Sequence, residues 1–404
     1  MALQQKTSIE NRDLVQESEC NVLSAGKAEA ENSRSRGGSK SFEMMDTWFD
    51  VSHFRTMNWN RITYPKPIQK GSCIGVTAPS SGVEPKHEAR LNLALHHLEQ
   101  RGFRYREGKC LRGDKKSVSA GAQERATDFV SLWLDPSTDM IFPPWGGEFL
   151  INLLDKLDFE KLAGTRPKWV QGYSDTSTLL FALTTITGIS TVHGLNLMDS
   201  ILENDDSLTS KSFDWLALSA GAKFEQASSP YFQTEFEDFS KDVHAKFKLE
   251  HKTTWRNFKG EERITLQGRI IGGCLDTLRN LVGTPYGDIP RFASRLKDSG
   301  LILYLENAGT TPAEVCRTLW NMRFAGWFEV VSGIVFGRSA APDATTSEEL
   351  SYEDAIEDAL AGTDLPMILD ADIGHHPPQM TIFNGSMAQI ESSNGQGKLI
   401  QALV

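Results

Sequence analysis

The chain has no C-x-x-C pair, and its five cysteines (Cys20, Cys73, Cys110, Cys274, Cys316) form an odd, widely spaced set. That argues against a disulfide framework and a standard zinc motif, and for reduced thiols in a cytoplasmic protein. No apolar run approaches membrane-spanning length. The opening residues, Met1-Ala2-Leu3-Gln4-Gln5-Lys6, lack the apolar core of a signal peptide. Basic stripes with interleaved aromatics are missing and the net charge is −11, so no nucleic-acid polymer is expected as a partner. There is no internal repeat. What remains is a 404-residue chain with 39% hydrophobic and 24% charged residues, the composition of a packed globular protein.

Residues 1–45 are polar, rich in Ser, Glu, Asn and Lys, with too little apolar surface to offset ordering entropy. A disordered tail is expected there, or a short docking segment around Phe42 to Phe54. Beyond it, short apolar runs alternate with helical periodicity. Cys73-Ile74-Gly75-Val76-Thr77-Ala78 reads as a buried strand ending at Pro79-Ser80-Ser81-Gly82. A helix follows with Leu91, Leu95 and Leu98 on one face, then another with Ala126, Phe129, Val130, Trp133 and Leu134. Met140-Ile141-Phe142 is a short strand leading to Trp145-Gly146-Gly147, and a helix is expected over 149–157. This alternation predicts an α/β fold: an N-terminal domain (46–225) with a mainly parallel sheet flanked by helices. An acidic connection (226–262) leads to a smaller β-rich C-terminal domain (263–404). Three loops, Pro79-Ser80-Ser81, Gly146-Gly147 and Ser174-Asp175, fall at the carboxyl edge of the first sheet, where such sheets bind ligands.

Gly172-Tyr173-Ser174-Asp175-Thr176 is the most informative stretch. An apolar strand enters it and a helix, starting near Leu179-Leu180-Phe181, leaves it. A serine on that turn is lifted clear, beside the free N–H groups of a helix N-terminus. The G-x-S-x-G pattern is not met, because position 176 is Thr, so an ordinary Ser/Asp helix cap competes with a nucleophile elbow. A serine nucleophile needs a base and an acid to orient it. Glu306 stands where the apolar strand Leu301 to Leu305 stops; it is a candidate acid, or a solvated loop carboxylate. His375 follows a glycine in a loop stiffened by two prolines; it is a candidate base, or a structural histidine. His193 could line the pocket. Asp370, Asp372, His375 and His376 lie close in sequence, but match no standard zinc spacing.

In order, these pieces resemble the LD-carboxypeptidases, a family of serine peptidases. The resemblance rests on Ile74 to Ser81, Gly121 with Glu124-Arg125-Ala126, Asp135-Pro136, Pro167-Lys168, Gly172 to Thr176, His193-Gly194, Gly272-Gly273, Gly283-Thr284-Pro285-Tyr286, Glu306 and Gly374-His375. It spans Gly71 to Gly385 and implies a two-domain hydrolase with a Ser174, Glu306, His375 triad. Gly147 and Asp175 would supply the oxyanion-hole N–H groups. It implies no metal or organic cofactor, a small-molecule or peptide substrate, no membrane, and a homodimer. His376 is a second candidate beside His375. Three departures bear on specificity. The family's Gly-Gly-Asn is Gly272-Gly273-Cys274, the segment before Gly146 is Pro143-Pro144-Trp145 without an Arg, and a late Pro is missing from Thr381-Ile382-Phe383-Asn384-Gly385. Gly147-Glu148 and the long Trp255-bearing segment before Glu306 are closer to the microcin C self-immunity branch. Trp145, Gly146, His193 and Trp255 are the expected substrate contacts. The expected activity is hydrolysis of an amide in aminoacyl- or peptidyl-nucleotide conjugates. The alternatives are peptidoglycan LD-carboxypeptidase activity and a catalytically silent binding protein on the same scaffold.

Overall fold

The computed structural model describes residues 57–202, 206–296 and 299–404. The tail expected over 1–45 and the docking segment at 42–54 lie outside the described residues. The first strands are β1 (Cys73–Val76), β2 (Arg104–Glu107), β3 (Met140–Ile141), β4 (Trp169–Gly172) and β5 (Val192–His193). They pair in parallel in the order β5-β4-β3-β1-β2. The inner strands β1, β3 and β4 are buried throughout, as parallel strands covered on both faces must be. Strand β2, Arg-Tyr-Arg-Glu, is the charged edge, which discourages pairing with another chain.

The second half supplies β6 (Lys223–Ala227), β7 (Tyr231–Phe232), β8 (His251–Lys252), β9 (Arg256–Asn257), β10 (Arg263–Cys274), β11 (Leu301–Glu306), β12 (Gly333–Gly337), β13 (Met367–Ala371), β14 (Ile382–Phe383), β15 (Met387–Ser393) and β16 (Gln396–Ala402). Eight of them form one sheet in the order β6-β16-β15-β10-β11-β12-β13-β9. Its centre, β10 to β13, is parallel and its flanks are antiparallel. Strands β7 and β8 form a separate two-stranded ribbon. Strand β14 crosses back to pair with β5, so the first sheet is completed by a late segment of the chain.

The helix Thr176–Thr187 joins the two halves. It has no charged residue and is buried on every side, as an all-round uncharged helix must be. Two of its hydroxyls bond back to the helix: Thr185 Oγ1 donates to the Phe181 carbonyl at 2.9 Å and Thr187 Oγ1 to the Leu183 carbonyl at 2.6 Å. Ser177 Oγ accepts from the Cys274 N–H at 3.2 Å, tying the helix to the end of β10. The helix expected over 149–157 is a 3-10 helix, Leu150–Lys156. Leu150 and Leu153, three apart, are both buried, which suits three residues per turn, and the Leu150 N–H is drawn to Asp175 Oδ2 at 2.8 Å.

Beneath the loop after β13 lies a buried ion pair. Arg338 Nη1 meets Asp372 Oδ1 at 2.9 Å with side chains 5% and 0% exposed. Asp372 Oδ2 also accepts from Trp255 Nε1 at 2.7 Å and Ser229 N at 3.3 Å. Arg338 Nη2 donates to the carbonyls of His376 at 2.9 Å and Pro378 at 2.8 Å. Removing one partner strands a buried charge. Asp372→Ala is therefore expected to lower unfolding free energy by about 3–5 kcal/mol. The measurement is a denaturant midpoint that falls while the slope m stays unchanged.

Candidate active site

Ser174 stands just past the end of β4, two residues before the helix Thr176–Thr187. Its φ is +61°, a left-handed conformation that a non-glycine residue holds only when its surroundings impose it. Gly146 presses on the turn from the loop after β3. A Cβ there would sit 2.7 Å from Ser174 Cβ and 2.8 Å from the Asp175 nitrogen, so glycine is required. The Asp175 carboxylate accepts from Ser80 Oγ at 2.5 Å and from Leu150 N at 2.8 Å. Burial raises its pKa, opposed by these hydrogen bonds. Trp145 Nε1 donates to the Ser81 carbonyl at 3.1 Å, and Ser81 N donates to the Gly146 carbonyl at 3.3 Å. Buried Arg125 clamps the Pro79 carbonyl and Asn152 Oδ1, each at 2.6 Å. The three loops expected at one sheet edge are thus bonded together around Ser174.

From the second sheet, Glu306 ends β11 with no exposed surface. Its Oε2 lies 2.8 Å from His375 Nδ1. Gly374 has φ +102°, and a Cβ there would come within 2.5 Å of Glu306 Oε2; glycine lets the imidazole reach the carboxylate. Burial would lift Glu306, but the His375 charge and hydrogen bond outweigh it and its pKa is lowered. Burial would lower His375, but Glu306 outweighs that too and its pKa is raised. The Tyr173 ring packs edge-on to His375 with centroids 5.0 Å apart, so the residue before Ser174 touches the imidazole. Among the described residues no hydrogen bond joins Ser174 Oγ to His375; such contacts are often long in ligand-free sites.

Two cavities flank the serine. One, of about 260 Å³, is lined by Ser174, Gly147, Thr178, Cys274, Asp276 and Arg279 among others. The other, of about 140 Å³, is walled by Trp145, Tyr173, Asp199, Phe236, Phe239, Phe247 and Gly374 among others. Burial pushes the Asp199 carboxyl up to about 6, against hydrogen bonding and nearby cations.

Several expected contacts are corrected by the structure. Trp255 lines neither cavity; it is a core residue, 2% exposed, with its N–H on Asp372. His193 is fully buried behind Tyr173 and Tyr304, with ring centroids 6.4 and 5.2 Å away, and burial pushes its pKa down to about 4. His376 faces Phe232 at 6.0 Å, and burial and Arg338 push it down to about 4; the carboxylate partner belongs to His375. The Asp370, Asp372, His375, His376 group does not converge. Asp370 pairs with Arg256, Asp372 with Arg338 and His375 with Glu306. Sequence reasoning missed that residues 226–262, read as a connection, wall the smaller cavity through Gln233, Phe236, Glu237, Phe239, Lys246 and Phe247. Five phenylalanines in so polar a stretch, three of them on this wall, were the available signal.

The family description of the LD-carboxypeptidase N-terminal domain matches residues 74–194, and that of the C-terminal domain matches residues 267–390. The microcin C7 self-immunity protein of Escherichia coli is 27% identical over 333 residues, 81% of this chain and 93% of that protein. A probable murein peptide carboxypeptidase of Bacillus subtilis is 25% identical over 332 residues, 81% of this chain and 92% of that protein. A solved structure of the microcin C7 self-immunity protein in complex with aspartyl sulfamoyl adenosine superposes with a TM-score of 0.71 at 23% identity, covering 84% of this chain and 99% of that one.

The Glu306–His375 pair makes stability depend on pH with a definite sign. A lowered carboxyl stabilises above its unfolded pKa, near 4.5, and that is lost as pH falls through the lowered folded value. A raised imidazole stabilises below its unfolded pKa, near 6.5, and that is lost as pH rises through the raised folded value. The stability difference between wild type and Glu306→Gln, measured by denaturant titration, is expected to be greatest between pH 4.5 and 6.5 and to shrink on both sides.

Proposed function

The chain belongs to the LD-carboxypeptidase family of serine carboxypeptidases, and on that premise we propose that Ser174, Glu306 and His375 are its catalytic triad. The observation that carries this is the 2.8 Å His375–Glu306 pair, with His375 packed on Tyr173, the residue before a serine held at φ +61°. Ser174 Oγ attacks the substrate amide carbon. His375, with Nδ1 turned to Glu306, takes the serine proton at Nε2 and delivers it to the leaving amine. Glu306 orients the imidazole and stabilises its charged form. The backbone N–H groups of Asp175 and Gly147 receive the oxyanion, favoured by the start of the helix Thr176–Thr187. Water then hydrolyses the acyl-enzyme by the same proton path in reverse. None of these steps calls for a metal or organic cofactor.

The substrate we favour is an aminoacyl- or peptidyl-nucleotide conjugate. Trp145, Tyr173, Phe236, Phe239 and Phe247 give the smaller cavity flat apolar walls, and Asp199 adds an acceptor, a combination suited to a planar base with polar edges. The Escherichia coli relative, whose solved complex holds aspartyl sulfamoyl adenosine, fits that reading. The Bacillus subtilis murein carboxypeptidase keeps a peptidoglycan tetrapeptide as the second reading. Among the described residues no helix is long and apolar enough to cross a membrane. We read the protein as a cytoplasmic homodimer, which light scattering and fractionation test.

Incubation with aspartyl sulfamoyl adenosine and, separately, an LD-linked tetrapeptide decides the substrate. Ser174→Ala is expected to cut kcat by at least about 10⁴-fold on the true substrate. Turnover surviving that substitution overturns the mechanism, and a wild type that binds without turnover leaves the silent binding protein. The acid limb of kcat/KM is expected above pH 6.5, because Glu306 raises His375. Glu306→Gln should move that limb to lower pH and reduce kcat by about 10⁴-fold.

A further inference from the structure

Cys274 closes β10 in the strand pairing where Glu306 closes β11, its partner residue in the parallel register. That register puts a thiol beside the carboxylate. Cys274 Sγ, a Glu306 oxygen and a His375 ring nitrogen all lie within 4.8 Å of one another. Thiolate, carboxylate and imidazole are the three side-chain ligands of zinc. At zinc–ligand lengths of about 2.0–2.3 Å the donors stand roughly 3.3–3.8 Å apart, so side-chain rotations of about an ångström close the set. A second observation points the same way. Glu306 Oε1 meets nothing stronger than the neighbouring Cys274 thiol, although the side chain has no exposed surface. A thiol is at most a weak donor to it. Access exists, since Cys274 lines the 260 Å³ cavity that Ser174 shares.

We propose that Cys274, Glu306 and His375 form a binding site for zinc or a similar thiophilic divalent cation, whose occupancy turns the hydrolase off. The regulatory half of this rests on the triad reading above; the binding half does not. On binding, the Cys274 thiol releases one proton to solvent and its sulfur ligates the metal, with a Glu306 oxygen and His375 Nδ1, whose own proton passes to Nε2 as the ring changes tautomer. The fourth position opens to water in the cavity. No electron is transferred. The Glu306–His375 hydrogen bond is replaced by two metal bonds. With Nε2 already protonated and Nδ1 on a dication, the imidazole cannot accept the Ser174 proton near neutral pH, so attack stops. This property belongs to the cysteine; an asparagine at position 274 offers no thiolate.

Cobalt(II) alone is the probe for binding, because a thiolate ligand gives an intense near-ultraviolet charge-transfer band. The expected result is that band in wild type and in Ser174→Ala, and its loss in Cys274→Ala and Cys274→Asn. Zinc should inhibit wild-type hydrolysis, and inhibition should weaken about tenfold or more in both cysteine variants, each referred to its own metal-free rate. Circular dichroism shows whether those variants fold; Cys274→Ser is the replacement where one does not. No cobalt band in wild type, or a band that survives in a folded Cys274 variant, overturns the site. Equal zinc inhibition in wild type and variants overturns the switch. A band without any hydrolysis would sink the triad reading and leave the site standing.

Discussion

Glu306 is a carboxylate with no exposed surface, and a charge taken out of water persists only where other charges or donors meet it. Much of the site can be read as the means of meeting it. Its oxygen Oε2 is satisfied by His375 Nδ1 at 2.8 Å. For the imidazole to arrive there, the chain must pass so close that a side chain on Gly374 would collide with the same oxygen. That passage is held from below by Arg338, which grips the carbonyls of His376 and Pro378. Arg338 is itself buried and needs Asp372, and Asp372 in turn fixes Trp255 and Ser229. One buried acid thus calls up a chain of partners reaching from β11 to the segment before β9.

The serine side is built on a different constraint, steric instead of electrostatic. Ser174 sits in a backbone conformation that its own β-carbon disfavours, and its neighbours Gly146 and Asp175 hold it there. Gly146 leaves no room for relaxation toward the loop after β3, and Asp175 is fastened to Ser80 and Leu150. The all-buried helix Thr176–Thr187 then sets that turn against β10 through Ser177 and Cys274. Two sheets with separate topologies therefore present their carboxyl edges to the same place, and Tyr173 against His375 is one of their contacts there.

How much of this the sequence disclosed follows from the range of the interactions. The places of Ser174 and Glu306 were legible because one follows and the other ends an apolar strand, a local pattern with a structural meaning. His375 was legible through its glycine, whose collision with Glu306 explains why a glycine stands there. Trp255 was misread because its role depends on Asp372, 117 residues away, and no local pattern announces that. The aromatic wall at Phe236, Phe239 and Phe247 sits among charged residues in a stretch that forms neither helix nor strand, so it looked like a linker until the fold set it beside Tyr173 and Trp145. The 3-10 helix at Leu150–Lys156 has apolar spacing compatible with either helix type; the tertiary demand of Asp175 for the Leu150 N–H favours the tighter one.

Placing a cysteine among an acid and a histidine raises the question of which side chain is the nucleophile. Burial pushes the Cys274 thiol well up, and the Glu306 and Asp276 carboxylates push it the same way. A thiol so placed stays protonated at neutral pH and does not compete with Ser174 for an acyl group, since the thiolate is the reactive form. The same neighbours that silence it as a nucleophile suit it to a cation, because a dication neutralises the negative charge that keeps the proton on. On the proposed triad and metal site, serine chemistry and metal sensitivity both follow from one arrangement: a buried carboxylate shared between an imidazole and a thiol whose proton it holds in place.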